Sequence, residues 1–382
     1  MMPRRKLCIP LVIAAILILM LASQSIQKRH FLEVSLQINT APYVLFSDSV
    51  GLFPGLEHTA PHVDLSPDLS KIPTPAKVSQ ADTKKKPIEN DSQKSPRCLS
   101  FRSCGCPTCI SDLTTSTWFS QRYDPNQQPV LRDTISDFDP DALKWWLGLQ
   151  HSNRELTLEK VMSDMFKVIS PPSEDFKPFL SRCRTCAVVG NSGNLQKSGY
   201  GNLIDTHNLV IRMNKAVTRG FEHDVGNRTT HHFQYPESAL DVGPGVSLVL
   251  LPFKLRDLEW LTSALSTGEI KMTYMRVKER VVADQDKVLV INPVFLKYVH
   301  DRWTEYHGRY PSTGMLAIIF ALHTCDQVSV FGYGADKLGN WHHYWEENRH
   351  AGAFRKTGVH NADFETEIIH QLASEGKISL HQ

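Results

Sequence analysis

Apolar and polar positions fall in blocks along this chain. Residues Leu7 to Ala22 are apolar without a charge, preceded by Arg4, Arg5 and Lys6 and followed by the polar SQSIQKRH. Such a run, rising ~1.5 Å per residue, covers roughly 24 Å. That is short for a plasma membrane but adequate for the thinner early secretory membranes. A cleaved signal peptide has a similar basic start and apolar core. Because no convincing small-x-small cleavage site follows, the expectation is an uncleaved anchor at 7–22, with a cytosolic tail at 1–6 and everything after the span in the lumen. From about Ser35 to Arg97 the composition turns to Pro, Ser, Asp and Lys, with no sustained apolar period. A segment of that kind buries too little surface to offset its ordering entropy, so 23–97 is expected to be a stem and 98–382 the lumenal domain.

Within 98–382 the pattern changes again. Asp141 to Gln150 and Thr157 to Ile169 have helical apolar spacing, the second halted by Pro171 and Pro172. Short apolar runs follow at Ala187–Val189, Leu209–Met213, Ser247–Leu251, Val288–Ile291 and Val328–Phe331. Between and after them come helical patterns at Leu255–Leu265, Pro293–Thr304, Thr313–His323 and Ala362–Ala373. This alternation predicts an α/β domain whose sheet is largely parallel and covered on both faces. Ligands of such sheets bind at the carboxyl ends of the strands. The turns Gly190–Asn194 and Gly332–Gly334 are therefore candidates for one shared rim. No internal repeat is evident.

Composition narrows the classes without choosing one. The chain has 382 residues, a net charge of +2 and 41% hydrophobic residues. That suits a globular domain of useful core size and argues against a nucleic-acid binder. Of the eight cysteines, Cys8 lies in the expected span, leaving Cys98, Cys104, Cys106, Cys109, Cys183, Cys186 and Cys325. The two C-x-x-C pairs, Cys106/Cys109 and Cys183/Cys186, are too far apart for a zinc ribbon. In a lumenal domain disulfides are the better reading, and Cys98 at the stem boundary is the odd thiol, free to link two chains. Asn90 and Asn227 head N-glycosylation sequons.

Three stretches carry candidate chemistry. The first is CRTCAVVGNSGNLQKSGYGNLIDTHNLVIRMNKA, from Cys183, whose Gly190–Asn194 turn joins two strand-like runs. Glycine lets backbone N–H groups approach an anion; an ordinary turn looks the same, and neither the dinucleotide nor the P-loop fingerprint is present. The second is GRYPSTGMLAIIFALHTCDQVSVFGYG, from Gly308, in which Ser312 and Thr313 precede an apolar helix. A helix start there offers free N–H groups and a positive dipole end to an anion; it also reads as a simple cap. The third is WHHYWEENRHAGAFRKTGVHNADFE, from Trp341, where His342, His343, His350 and His360 cluster with Glu365. A positioned histidine can take a hydroxyl proton near neutral pH, while His350 reads as a surface residue and no H-E-x-x-H zinc pattern occurs. Trp145 and Trp146 read as core. The Asp-x-Asp pairs Asp137/Asp139, Asp139/Asp141 and Asp284/Asp286 end no clear strand and read as chance.

Taken together and in this order, the three stretches resemble the motifs of the animal sialyltransferase family: a large motif, a small motif, HHYW as the third and HNADFE as the very small H-x-x-x-x-E motif. The similarity runs from about Cys104 to the C-terminus and is greatest with the α2,3-sialyltransferases acting on Galβ1,3GalNAc, through HHFQYPES, DLEW, GNWHHYWEEN and AGAFRKTGVH. The resemblance implies transfer of N-acetylneuraminic acid from CMP-sialic acid to the 3-hydroxyl of terminal galactose, with inversion, in the Golgi lumen. Acceptors would be glycans on glycoproteins or glycolipids. It implies a single GT-A-like, Rossmann-related domain that needs no metal or other cofactor. Residue by residue, it places His360 as general base and His343 beside the departing phosphate. Asn191, Ser192, Asn214, Ser312, Thr313, Gly314, Gly334 and Tyr274 fall at donor positions. Gln150, Tyr235, Tyr310 and Trp341 fall near the acceptor. Glu365, five residues on from His360, is off the helical face of that histidine, and the spacing predicts that it anchors the loop. The implied disulfides are Cys104–Cys109, Cys106–Cys183 and Cys186–Cys325.

Overall fold

The computed structural model describes residues 104–132, 138–150, 157–172, 181–347 and 358–382. The expected tail, anchor and stem, together with Cys8, Asn90, Cys98, Asp137 and His350, lie outside the described residues. No helix among the described residues is long and apolar enough to cross a membrane.

Among the described residues, seven strands form one sheet: β1 (Thr185–Val189), β2 (Leu209–Met213), β3 (His231–Gln234), β4 (Ser247–Leu250), β5 (Val288–Val290), β6 (Gln327–Phe331) and β7 (Ser379–His381). Their spatial order is β5-β4-β3-β2-β1-β6-β7, and every neighbouring pair is parallel. The helices are α1 (Thr117–Ser120), α2 (Pro140–Leu147), α3 (Leu158–Met165), α4 (Gly201–Asp205), α5 (Glu222–Val225), α6 (Leu255–Ala264), α7 (Pro293–Arg302), α8 (Thr313–Thr324) and α9 (Ala362–Ser374). The parallel α/β architecture expected from the alternation is therefore what the chain adopts.

Side-chain alternation along the central strands divides the interior in two, as a period of two requires. Cys186 and Val188 of β1, Ile211 and Met213 of β2, and Val328 and Val330 of β6 face the larger core. Ala187, Val189, Val210 and Phe331 face a smaller core closed by Leu195, Ile204, Val225 and Tyr344. Helix α8 explains itself by composition: it is buried on every side from Met315 to Thr324 and packs across β1, β2 and β6. A helix that is apolar all round has no face to give to water.

Two strands carry no apolar run and were not legible as strands. β3 reads His-His-Phe-Gln, yet it lies between β2 and β4, where His231 Nδ1 meets the Thr230 hydroxyl and Gln234 Oε1 accepts from Leu240 N–H, while His231 Nε2 and Gln234 Nε2 are buried without a hydrogen-bond partner. The His231 ring is 3% exposed, and burial pushes its pKa down to about 4, while His232 Nε2 lies 2.6 Å from the Asn214 carbonyl. β7 is a three-residue edge strand whose His381 ring stacks on Phe331 at 4.3 Å.

Among the described residues, three disulfides staple the domain. Cys104–Cys109 closes a short loop, and Cys106–Cys183 ties that loop to the approach to β1. Cys186–Cys325 joins β1 to the residue that ends α8. These are the pairs that the resemblance implies.

Candidate active site

The sheet reverses its winding at β1, which has β2 on one side and β6 on the other. Open α/β sheets bind ligands at such a point, beyond the carboxyl ends of the strands. Here the chain leaves β1 at Gly190 and β6 at Gly332, and the two loops touch through their backbones. Gly190 N–H donates to the Phe331 carbonyl at 2.7 Å and Ser192 N–H to the Gly332 carbonyl at 3.0 Å. A Cβ on Gly190 would sit 2.3 Å from the Gly332 oxygen, so glycine is required by space alone. The side chains complete the join: Ser192 Oγ donates to the Gly334 carbonyl at 2.7 Å, and Asn194 Nδ2 donates to the Tyr333 carbonyl at 2.8 Å. Asn191 Nδ2 is held by the Met213 carbonyl at 3.1 Å. Its Oδ1 is buried without a hydrogen-bond partner, an acceptor left over at the rim.

Beyond β2, Asn214 takes a left-handed conformation (φ 55°), which asparagine tolerates better than most residues. Its Oδ1 accepts from Ser238 Oγ at 2.9 Å. This turn faces the start of α8, where Ser312 caps the helix by accepting from Met315 N–H at 3.1 Å. The cap is itself held: Glu365 Oε1 accepts from Ser312 N–H at 2.8 Å, and Oε2 accepts from the Ser312 hydroxyl. Glu365 is 6% exposed, and burial raises its pKa to about 7 against the lowering effect of the two Ser312 bonds. Its carboxylate is thus spent on the small-motif turn, the anchoring part expected for it.

Two histidines face this rim from the C-terminal segment. His360 Nδ1 lies 2.9 Å from the Tyr310 carbonyl. A carbonyl can only accept, so Nδ1 carries the proton and Nε2 keeps its lone pair. Burial lowers the pKa of His360, and the Tyr310 bond only partly opposes this. His343 belongs to a strand-like stretch that pairs with the first loop: Gly193 N–H donates to the His342 carbonyl at 2.8 Å, and Tyr344 N–H to the Asn191 carbonyl at 3.1 Å. Its Nδ1 lies 3.0 Å from Glu346 Oε1 and its ring stacks on Trp345 at 4.5 Å. Partial burial raises the Glu346 pKa, but the His343 bond and the Lys215 charge outweigh it and hold the carboxyl below its ordinary value.

The far end of the cleft is aromatic. The Tyr310 ring meets His360 edge-on at 5.1 Å and Phe253 at 4.6 Å, and Phe253 meets Tyr235 at 6.3 Å. Tyr274 completes this wall above the Lys254 ammonium, which lies 4.8 Å from its ring centre.

One cavity of about 550 Å³ is lined by all of the candidate residues together: His343 and His360; Asn191, Ser192, Asn214, Ser312, Thr313, Gly314, Gly334 and Tyr274; Gln150, Tyr235, Tyr310 and Trp341. The structure thus gathers residues separated by up to 210 positions into a single site, although the Ser192 hydroxyl is already committed to Gly334 and Asn194. Outside it lie Trp146, buried with its indole N–H on the Pro252 carbonyl, and Trp145, stacked on His300. The described Asp-x-Asp residues do not line it either; Asp139 caps α2 and Asp284 caps a short 3₁₀ turn. Among the described residues, no group of three or more His, Cys, Asp or Glu side chains is placed to hold a metal ion. Asn227 is exposed on the loop that enters β3, at the opposite end of that strand from the cleft. Sequence reasoning passed over Glu237 and Glu346, and reached Asn194 and Tyr333 only as members of the Gly190–Asn194 and Gly332–Gly334 turns. Of the two passed over, only Glu346, beside the paired histidines, had a signal in its spacing.

Residues 133–377 match the sequence pattern of glycosyltransferase family 29 (sialyltransferase). The chain is 53% identical over 283 residues to the mouse CMP-N-acetylneuraminate-beta-galactosamide-alpha-2,3-sialyltransferase 2, covering 74% of this chain and 80% of that one. It is 49% identical over 293 residues to the human sialyltransferase 1 of the same name, covering 76% and 85%. The fold is similar to a crystal structure of a mammalian sialyltransferase, with a TM-score of 0.68 and 46% identity over 74% of this chain and 99% of that one. It is also similar, with a TM-score of 0.67, 46% identity and 73% and 98% coverage, to a mammalian sialyltransferase in complex with Gal-beta-1-3GalNAc-ortho-nitrophenol.

Proposed function

The chain belongs to glycosyltransferase family 29, the sialyltransferases, and on that footing we propose that it moves N-acetylneuraminic acid from CMP-sialic acid to the 3-hydroxyl of a terminal galactose in Galβ1,3GalNAc. The observation that carries the mechanism is His360, lining the cleft with Nδ1 fixed to Tyr310 and Nε2 left as the basic nitrogen. The relatives' names supply the donor and linkage, and the solved neighbour's ligand supplies the acceptor.

In this reading the donor nucleotide lies along the Gly190–Ser192 and Gly332–Gly334 loops, with Asn191 and Asn214 on it. The phosphate rests at the start of α8, where the first N–H groups of the helix have no intrahelical partner and the dipole is positive. His343, with Nδ1 turned to Glu346, offers Nε2 on the same side. CMP leaves with one phosphate group to stabilise, and preorganised donors of this kind serve that charge without a metal. The galactose hydroxyl attacks the anomeric carbon from the opposite face, its proton passes to His360 Nε2, and the C–O bond to the phosphate breaks, inverting the centre. Gln150, Tyr235, Tyr310 and Trp341 bound the acceptor side, and Tyr274, a donor position by resemblance, stands on the aromatic wall over Lys254.

We further propose a type II anchor at 7–22, a stem at 23–97 and a lumenal Golgi location. The test is transfer by the full chain in detergent, from CMP-sialic acid to a Galβ1,3GalNAc glycoside, with and without EDTA. Linkage analysis should show the α2,3 product in both. A chain that forms no such product would end the reading, and loss of product only with EDTA would end its metal-free part.

A further inference from the structure

The aromatic end of the cleft contains a charged group that the mechanism above does not use. Glu237 lies in the turn that follows β3, at the carboxyl end of the sheet, and lines the cavity. Its side chain is 4% exposed. A carboxylate in so dry a place must be paired, and this one is: Oε1 receives Lys254 Nζ at 3.1 Å and also the Thr273 hydroxyl. Lys254, 3% exposed, is in turn 2.6 Å from Asp257 Oδ1 at the start of α6. Glu237 is therefore held by an ammonium and a hydroxyl from two other segments.

Both fixing bonds fall on one carboxylate oxygen, Oε1. Around the group stand three of the cleft's tyrosines. After burial, which is the largest effect in each case, the Glu237 charge adds to the upward pKa shifts of Tyr235, Tyr274 and Tyr310. The Tyr310 ring connects this end of the cleft to His360. A carboxylate acceptor framed by aromatic faces is what a sugar presents itself to: the hydroxyls donate and the C–H face covers a ring.

We propose that Glu237 is a specificity residue for the acceptor, its carboxylate receiving a hydrogen bond from a hydroxyl of the acceptor sugar other than the one that attacks. Lys254, Asp257 and Thr273 position it. The inference rests on the acceptor class proposed above. A site built to receive a hydroxyl discriminates strongly against an analogue lacking it, and bonds to a charged group are among the stronger ones.

The test compares the full chain with Glu237→Gln, which keeps the size and one oxygen acceptor while removing the charge. Each is assayed on a Galβ1,3GalNAc glycoside and on a series of its monodeoxy analogues, with KM measured separately for donor and acceptor. The expected result is an acceptor KM raised about 10- to 100-fold with the CMP-sialic acid KM within twofold of wild type. One deoxy analogue should be poor for the wild type and no worse than the parent sugar for Glu237→Gln. Thr273→Val should raise the acceptor KM less and keep the wild-type ranking of the deoxy series. A Glu237→Gln chain that ranks the deoxy analogues as the wild type does, or that loses donor and acceptor affinity together, would overturn the proposal by reducing Glu237 to a strut. A variant too unstable to assay would do the same when Thr273→Val also melts early. If the wild type sialylates no galactoside, the proposed function falls first and this inference with it.

Discussion

As the proposed base, His360 would have to be neutral and correctly tautomeric, and burial together with one hydrogen bond provides both conditions. Burial lowers its pKa and the Tyr310 carbonyl fixes the proton on Nδ1. His360→Ala should therefore lower turnover by about 10²- to 10⁴-fold, the usual worth of a positioned base. CMP binding, measured by calorimetry, should stay near wild type; turnover that persists would remove the residue from the mechanism. Glu365 makes a separate, thermodynamic prediction. Its pKa rises from 4.5 to about 7 on folding, so the folded chain holds a proton that the unfolded chain has released. Stability from this group is fully present below about pH 4.5 and is lost as pH rises through 7, by roughly 3 kcal/mol at most. Glu365→Gln has nothing to ionise, so the stability difference between wild type and variant, followed by denaturant titration, should move in the variant's favour across that window. A difference that is flat from pH 5 to 8 would show that the carboxyl is already ionised.

At the level of elements, the contact between the loops after β1 and β6 is the most demanding local fit. Gly190→Ala drives a methyl into the Gly332 carbonyl, and overpacking against backbone costs about 1–3 kcal/mol. The expected outcome is a lower melting temperature together with a raised KM for the donor; an unchanged donor KM would mean that the loops do not shape its site. The same elements show what a sequence makes visible. β1, β4 and β5 were legible because a strand buried on both faces reads as a near-continuous apolar run, and β2 and β6 because only Arg212 and Ser329 interrupt theirs. β3 was not, because His231, His232 and Gln234 interrupt any apolar run, and the carbonyl that His232 meets, that of Asn214, is brought near only by the fold. The strand order was also hidden, since nothing in an apolar run says which other run it pairs with. The loops of the candidate site were legible as a turn and a helix cap, while Gln150, Tyr235, Tyr274, Tyr310 and Trp341 were reached only through the family resemblance. Glu237 was not, because its partners Lys254 and Thr273 stand 17 and 36 positions away.

For the whole molecule, the bridge Cys186–Cys325 matters more than its single bond suggests, because it clamps the entry to the first loop against the end of α8. Cys186→Ser or Cys325→Ser should cost about 2–5 kcal/mol, seen as a lower denaturation midpoint; equal midpoints would mean that the sheet holds this junction without help. A second consequence concerns time. β1 pairs with β6 from Thr185↔Gln327 onward, and chains dominated by such distant pairings fold slowly. A ribosome releases β1 through β5 long before β6, so the middle of the sheet stays open while most of the chain is already outside. During that interval Cys186 has no native partner and stands three positions from Cys183, which must find Cys106. The cleft draws on residues from both sides of this pairing, from Gln150 to Ile369, so it cannot be complete until the segments after β6 have emerged.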